Sequence, residues 1–288
     1  MSGLNKIIRI GTRRSELAMW QANRVKTSLE SLGQDYAYEL VPIQTKGDQN
    51  ISDPISSIGG KGIFLKEIEQ ALINNDIDIA VHSFKDITAI PSTKLEYSGF
   101  ILEEAIMDSF ILLTNKSLSD DLIIATGSLR RKALIRELYP NIKCVDIRGN
   151  VHTRIETAKK NKLDGLMLST AGLQRLELDH LISHECDPNT FIPAPGQGMI
   201  AIQQRVDEPH IKQSIQAITN NQTNALAQQY YIILKTLNFN CDIPFGAYIN
   251  SSQQLRLFYE LDGNANHLLT EWSDQQDVES TLNNLVNN

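Results

Sequence analysis

The chain has 288 residues, 41% of them hydrophobic and 21% charged, with a formal charge of −7 and a pI near 5.4. These values describe a globular chain long enough for two or three domains, since single cores stop growing near ~250 residues, and an acidic one that disfavours nonspecific binding to nucleic acid or to an anionic membrane. Cys144, Cys186 and Cys241 lack C-x-x-C spacing, which excludes a disulfide framework and a structural zinc site. The opening "MSGLNKIIRIGTRRSELAMWQ" has no apolar region of signal-peptide length and no stretch approaches the ~18 apolar residues of a membrane span, so a cytoplasmic, soluble protein is expected.

In chain order, Ile7 to Ile10 read as a short strand that passes through Gly11 and Thr12 into a helix. Leu17, Ala18, Ala22, Val25, Leu29 and Leu32 share one face of that helix, with Ser15 as its N-cap. "YELVPIQTKGD" is a second strand, "GIFLKEIEQALINN" an amphipathic helix through Leu65, Ile68 and Leu72, and "DIDIAVHSFKD" an apolar strand with a polar end. After a polar stretch near Pro91 to Ser98, "FILLT" and "LIIATGS" read as strands and Leu129 to Leu138 as a helix. Strand "KCVDIRGN", helix "TRIETAKKN", strand "GLMLST" and helix "AGLQRLEL" follow. This alternation predicts an α/β class with a largely parallel, buried sheet. Pro188, Pro193, Pro195, Gly196 and Gly198 then break the pattern, as at a crossing between lobes. From about Asn221 the chain reads as a small α+β domain: helix "NALAQQYYIILKTL", loop "CDIPFGAY", strand "LRLFYELD", a turn at Asp262-Gly263, a short strand and a last helix from Val278.

The cations recur after strands. Arg13 follows Gly11-Thr12, Arg130 and Arg131 follow Thr126-Gly127-Ser128, Arg148 precedes Gly149-Asn150 with Arg154 beyond, and Arg175 follows Thr170-Ala171-Gly172. A cation at a helix N-terminus opposes the macrodipole by ~0.3–1 kcal/mol unless an anion arrives, in which case amides, dipole and guanidiniums favour it together. Several separate arginines point to several carboxylates or phosphates; solvated surface charge is the other reading. "GGKG" at Gly59 to Gly62 lacks the spacing of a P-loop. Asp86, beside Lys85 and the arginines, is expected to stay ionised and to suit a cationic intermediate, whereas His82 reads as a packed residue.

"RIGTRRSELAMWQ", "TKGD", "GGKGIFLKEIE", "DIAVHSFKD", "GSLRRKA", "IRGNVHTR", "AGLQRL" and "PAPGQGMIAI" together resemble the successive motifs of the porphobilinogen deaminases, also called hydroxymethylbilane synthases, and "NCDIPFGAY" resembles their cofactor-attachment loop. The resemblance implies two periplasmic-binding-protein-like α/β lobes with a cleft between them and a small C-terminal α+β domain. On this sequence that division runs 1–98 plus 199–216, 99–198, and 217–288. It implies a dipyrromethane cofactor in thioether linkage to Cys241, Asp86 as the catalytic group, and Arg13, Ser15, Lys85, Ser128, Arg130, Arg131, Arg148, Arg154 and Arg175 as binders of cofactor and substrate carboxylates. Lys61 and Phe64 would belong to an active-site loop. The implied activity deaminates four porphobilinogen molecules, joins them head to tail and releases hydroxymethylbilane, by a monomer without metal, nucleic acid or membrane. The chain departs from the family pattern at Ser57, Ile106, Met107, Gln228, Gln229, Phe239 and Asn240. A binding protein that retains tetrapyrrole or another polycarboxylate without turnover is the second reading.

Overall fold

A computed structural model describes residues 6–49, 62, 64–88, 91–103, 105–237 and 243–287. They divide into two compact units, Met1–Glu103 with Met199–Gln228, and Glu104–Gly198 with Gln229–Asn288. The chain begins with β1 (Lys6–Arg13), α1 (Glu16–Glu30), β2 (Tyr36–Ile43), α2 (Lys46–Gln49), α3 (Lys66–Ile73), β3 (Ile79–Ser83) and β4 (Leu95–Ile101). It continues with β5 (Asp108–Leu112), β6 (Leu122–Ala125), α4 (Leu129–Leu138), β7 (Ile142–Val145), α5 (Val151–Lys160), β8 (Gly165–Ser169), α6 (Thr170–Arg175) and β9 (His184–Glu185). Then come β10 (Ile200–Arg205), α7 (Pro209–Ala217), α8 (Asn221–Leu237), β11 (Phe245–Ile249), β12 (Gln254–Leu261), β13 (Asn264–Glu271) and α9 (Gln275–Asn287).

In the first unit the sheet order is β2-β1-β3-β10-β4. β1 is parallel to β2 and β3, and β10 is antiparallel to β3 and β4. Alternate residues of the strands face opposite sides. Ile8, Ile10, Ile79 and Val81 meet Ala22, Val25 and Leu29 of α1 and Ile211 and Ile215 of α7, while Ala80 meets Ile68 and Leu72 of α3 on the other side. Val25 and Leu29 are fully buried, which contributes ~1.5–3 kcal/mol for each.

The second unit repeats the pattern as β7-β6-β8-β5-β9. β6 is parallel to β7 and β8, and β5 is antiparallel to β8 and β9. One face packs Phe110, Ile124 and Met167 on Leu134 of α4; the other packs Ile111, Ala125 and Leu166 on Ile155 and Ala158 of α5. The antiparallel sheet β11-β12-β13 joins the first of these cores through Phe258, and the hydroxyl of Tyr230 on α8 accepts from the Ile249 amide at 3.1 Å. Its turn sits at Asp262-Gly263, as read from the sequence, and both residues take positive φ, 50° and 79°.

The two larger sheets are mixed rather than largely parallel, for a topological reason. β5 and β10 each follow a passage of the chain from one unit to the other, so neither needs the crossover helix that forces parallel pairing. The stretch Pro91–Ser98, read as polar, contains the start of β4; as an edge strand it carries Glu96 outward, where it accepts from Gln204 at 3.1 Å and pairs with Lys212 at 2.9 Å. "FGAY", read as loop, begins β11.

Candidate active site

In the first unit, β1 and β3 are adjacent and parallel, with Gly11 opposite Ala80. Arg13 ends β1, and the 3₁₀ turn Phe84–Asp86 follows β3, so both lie at the carboxyl ends of neighbouring strands. The buried Phe84 ring anchors that turn against Phe100, centroids 5.6 Å apart, and the Phe84 amide donates to the Met199 carbonyl at 2.9 Å. Lys85 is thereby left exposed and Asp86 half-buried.

Arg13 is held from three sides. Its Nε donates to both Asp48 oxygens at 3.2 and 3.3 Å, and Nη2 bonds Asp48 Oδ1 as well. The Phe64 ring lies 3.9 Å from the guanidinium carbon, and Nη1 stands 3.9 Å from Asp86 Oδ2. Burial alone would raise the Asp48 carboxyl, but the Arg13 hydrogen bond and charge, with a 2.8 Å bond from Thr45, hold it below its ordinary value. Ser15 caps α1 by accepting from the Ala18 amide at 3.4 Å, which leaves its hydroxyl hydrogen able to donate. His82 is packed, as the sequence suggested: its Nε2 meets Gln203 Oε1 at 3.1 Å, Gln203 Nε2 donates to Glu69 at 2.9 Å, and burial pushes the imidazole down to about 4.

In the second unit β6, β7 and β8 are adjacent and parallel, so the segments after them share one edge. Ser128 caps α4 by accepting from the Arg131 amide at 3.4 Å. Arg130 and Arg131, in the first turn, are only 5% and 6% exposed, and they clamp Asp108, which is 0% exposed. Arg130 Nη1 donates to Asp108 Oδ2 and to the Ile192 carbonyl, each at 2.7 Å. Arg131 donates through Nε to Asp108 Oδ1 at 2.9 Å and through Nη1 to the Met167 carbonyl at 3.1 Å. Burial would raise the Asp108 carboxyl, yet the charges of Arg130 and then Arg131 hold it far below the usual carboxylate range. Gln197, 3% exposed, completes the cluster: Nε2 donates to Asp108 Oδ1 at 3.0 Å, and Oε1 accepts from Arg130 at 3.4 Å.

Arg148, half-buried three residues past β7, has no hydrogen-bond or ion-pair partner among the described residues. Arg154 Nε donates to the Gly149 carbonyl at 2.7 Å. Arg175 is a correction to the pattern of cations at helix starts: it lies in the last turn of α6, where the dipole favours it, and donates to the Gly198 carbonyl. β11 reaches this cluster as well. A Cβ on Gly246, five residues after Cys241 in sequence, would stand 2.8 Å from the Ile192 carbonyl and 3.1 Å from Arg130 Cδ, so only glycine lets the strand approach.

Lys61 and Cys241 lie outside the described residues, as do Ser57, Phe239 and Asn240; the carbonyls of Ile106 and Met107 accept from Gln197, and Gln229 on α8 donates to Gln253 at 2.7 Å. Sequence reasoning gave no role to Asp48, Asp108 or Gln197. The available signal was a lone aspartate opening the apolar strand "DSFIL", since a carboxylate there is buried only when paired. Among the described residues no group of three His, Cys, Asp or Glu is placed to hold a metal ion, and no helix is long and apolar enough to cross a membrane.

Fold and site together define an α/β protein of two mixed-sheet units that gathers cations, and the half-buried carboxylates of Asp48 and Asp86, at the carboxyl ends of its parallel strands. Residues 8–213 match the family model described as porphobilinogen deaminase, dipyromethane cofactor binding domain. The chain is 35% identical over 247 residues to the porphobilinogen deaminase of Syntrophobacter fumaroxidans, covering 85% of this chain and 80% of that protein. It is 39% identical over 240 residues to that of Syntrophomonas wolfei, covering 82% and 78%. Among solved structures it is similar to an ancestral cationic amino acid solute binding protein, at 13% identity and TM-score 0.47, covering 78% of this chain and 95% of that one. The chain belongs to the porphobilinogen deaminase family, transferases with a dipyrromethane cofactor-binding domain.

Proposed function

We propose that this chain deaminates porphobilinogen, joins four molecules head to tail on a dipyrromethane in thioether linkage to Cys241, and releases hydroxymethylbilane. The observation that carries the reading is the placement of Asp86: a carboxylate 31% exposed, on a turn anchored by Phe84, 3.9 Å from Arg13. It is the right group to accept from pyrrole N–H and to stabilise a pyrrole that turns cationic as ammonia leaves.

The donor set after β6, β7 and β8 fits the cofactor. Arg148, Arg154 and the free edge of Arg130 present guanidinium donors at one strand edge, where a chain of acetate and propionate groups needs them. Bound, the dipyrromethane supplies the α-carbon to which incoming pyrroles are joined. Arg13, Lys85 and the Ser15 hydroxyl would orient substrate carboxylates beside Asp86, and Phe64 would shield the Arg13 guanidinium from water. Ser128 and Arg175 complete the binding set, and Arg131, whose donors go to Asp108 and the Met167 carbonyl, would support it from behind rather than by a contact of its own. In this reading residues 1–98 with 199–216, 99–198 and 217–288 act as three domains, and the protein works as a cytoplasmic monomer without nucleic acid.

The test is the intact mass of the purified chain, peptide mapping around Cys241, and product formation from porphobilinogen. An increment of two linked pyrroles on Cys241, with turnover that Asp86→Ala abolishes while the fold persists, is the expected result. An unmodified Cys241 after incubation with porphobilinogen would turn the reading to a polycarboxylate-binding protein.

A further inference from the structure

Arg130 and Arg131 are neighbours in α4, yet their donors are used differently. Arg131 turns Nε and Nη2 to Asp108, at 2.9 and 2.7 Å, and Nη1 to the Met167 carbonyl. Arg130 uses Nη1 for Asp108 and Ile192 and Nη2 for Gln197, while its Nε has no partner among the described residues. Gln197 has one possible orientation. Its amide nitrogen faces acceptors only, Asp108 Oδ1 at 3.0 Å, the Ile106 carbonyl at 2.8 Å and the Met107 carbonyl at 3.1 Å, so its oxygen must face Arg130. A buried polar network with its bonds made holds one geometry. Two guanidiniums against one carboxylate also leave an excess positive charge beside a helix N-terminus, a place that favours one further anion.

We propose that Asp108 and Gln197 are positioning residues that divide the arginine pair: Arg131 is fixed into the frame, and Arg130 is turned so that its Nε edge meets a single ligand carboxylate. The assignment rests on the functional reading above and deepens it. Asp108 cancels one of the two charges, so α4 takes one carboxylate rather than two. Gln197 gives the Nη2 side of that guanidinium its acceptor, which the Nη1 bonds to Asp108 and Ile192 do not supply, and so completes the hold that turns Nε outward.

The experiment is steady-state kinetics with porphobilinogen, together with intact mass and a thermal melt, on the holoprotein and its Gln197→Met variant. Removing a hydrogen bond to a charged group is expected to raise KM about tenfold while kcat stays within about threefold, in a protein that still melts cooperatively. If Gln197→Met does not fold, Gln197→Asn, which withdraws the amide by one methylene, is measured instead, with the same KM shift expected. Asp108→Glu, which keeps the charge, is expected to retain the cofactor mass increment that Asp108→Asn loses. A wild type with turnover and mass increment, beside a folded Gln197 variant unchanged in KM, would overturn this assignment alone. A wild type with neither would overturn the functional reading and this assignment with it.

Discussion

The two larger sheets share one strand order, and each has an arginine at or just past the end of its second strand, Arg13 as the last residue of β1 and Arg130 in the first turn of the helix after β6, but they hold that arginine differently. Arg13 and Asp48 keep 25% and 22% of their side chains exposed, whereas Arg130 and Asp108 keep 5% and 0%. Exposed charges interact in a high effective dielectric and exchange partners at little cost; buried ones lose solvation and are held only by complete pairing. The same topology therefore yields an adjustable cation in the first unit and a fixed one in the second.

The comparison breaks most readily at Asp108. Asp108→Asn leaves two buried guanidiniums without their carboxylate, and a loss of about 3–5 kcal/mol in urea unfolding is expected. The carboxyl titrates far below its usual value in the fold, so its stabilisation is complete above about pH 4 and declines as acid is added. Asp86→Ala tests the first unit: kcat should fall by roughly 10²–10³, the loss expected when one preorganised charge-stabilising group is removed, with the melting temperature nearly unchanged. His82 is intermediate. With its folded value near 4 against 6.5 unfolded, only the unfolded chain takes up a proton between these values, so stability falls as pH drops from 6.5 to 4. His82→Gln should remove up to about 3 kcal/mol of that pH dependence, read from urea midpoints. Arg13→Lys keeps the charge but loses the two-pronged contact to Asp48, and KM for porphobilinogen should rise about fivefold with less than ~1 kcal/mol lost in stability. Smallest, the exposed Arg136–Glu260 pair between α4 and β12 should be worth less than ~1 kcal/mol by double-mutant cycle; a larger value would show that surface pairs stiffen the second unit too.

What was legible in the sequence is local. The helix read from Leu129 to Leu138 has those ends in the structure, because Ser128 caps it and Pro140 follows closely. The α1 face from Ala18 to Leu29 is buried as its spacing required. Asp86 and Arg13 were found because a strand ending in polar residues announces itself. β10 was hidden: its apolar run sits directly after a proline- and glycine-rich segment, and its antiparallel partners β3 and β4 are about a hundred residues earlier. The lone aspartate of "DSFIL" signalled a paired carboxylate, but its partners were invisible for the same reason, since Asp108 lies 22 and Gln197 67 residues from Arg130, and periodicity carries no trace of such pairings.

The late return of β10 also sets a schedule for synthesis. β4 is finished at Ile101, but β10, the strand between it and β3, starts only at Ile200. At about 5–20 residues per second, β3 waits roughly 5–20 s on the ribosome with one edge unpaired, and β4 waits as long with no strand partner. The second unit's five-stranded sheet, by contrast, is complete once Glu185 has emerged. The first unit therefore closes its sheet after the second, and a ribosome stalled before Ile200 holds a chain in which β3 has an open edge and β4 has no sheet to join.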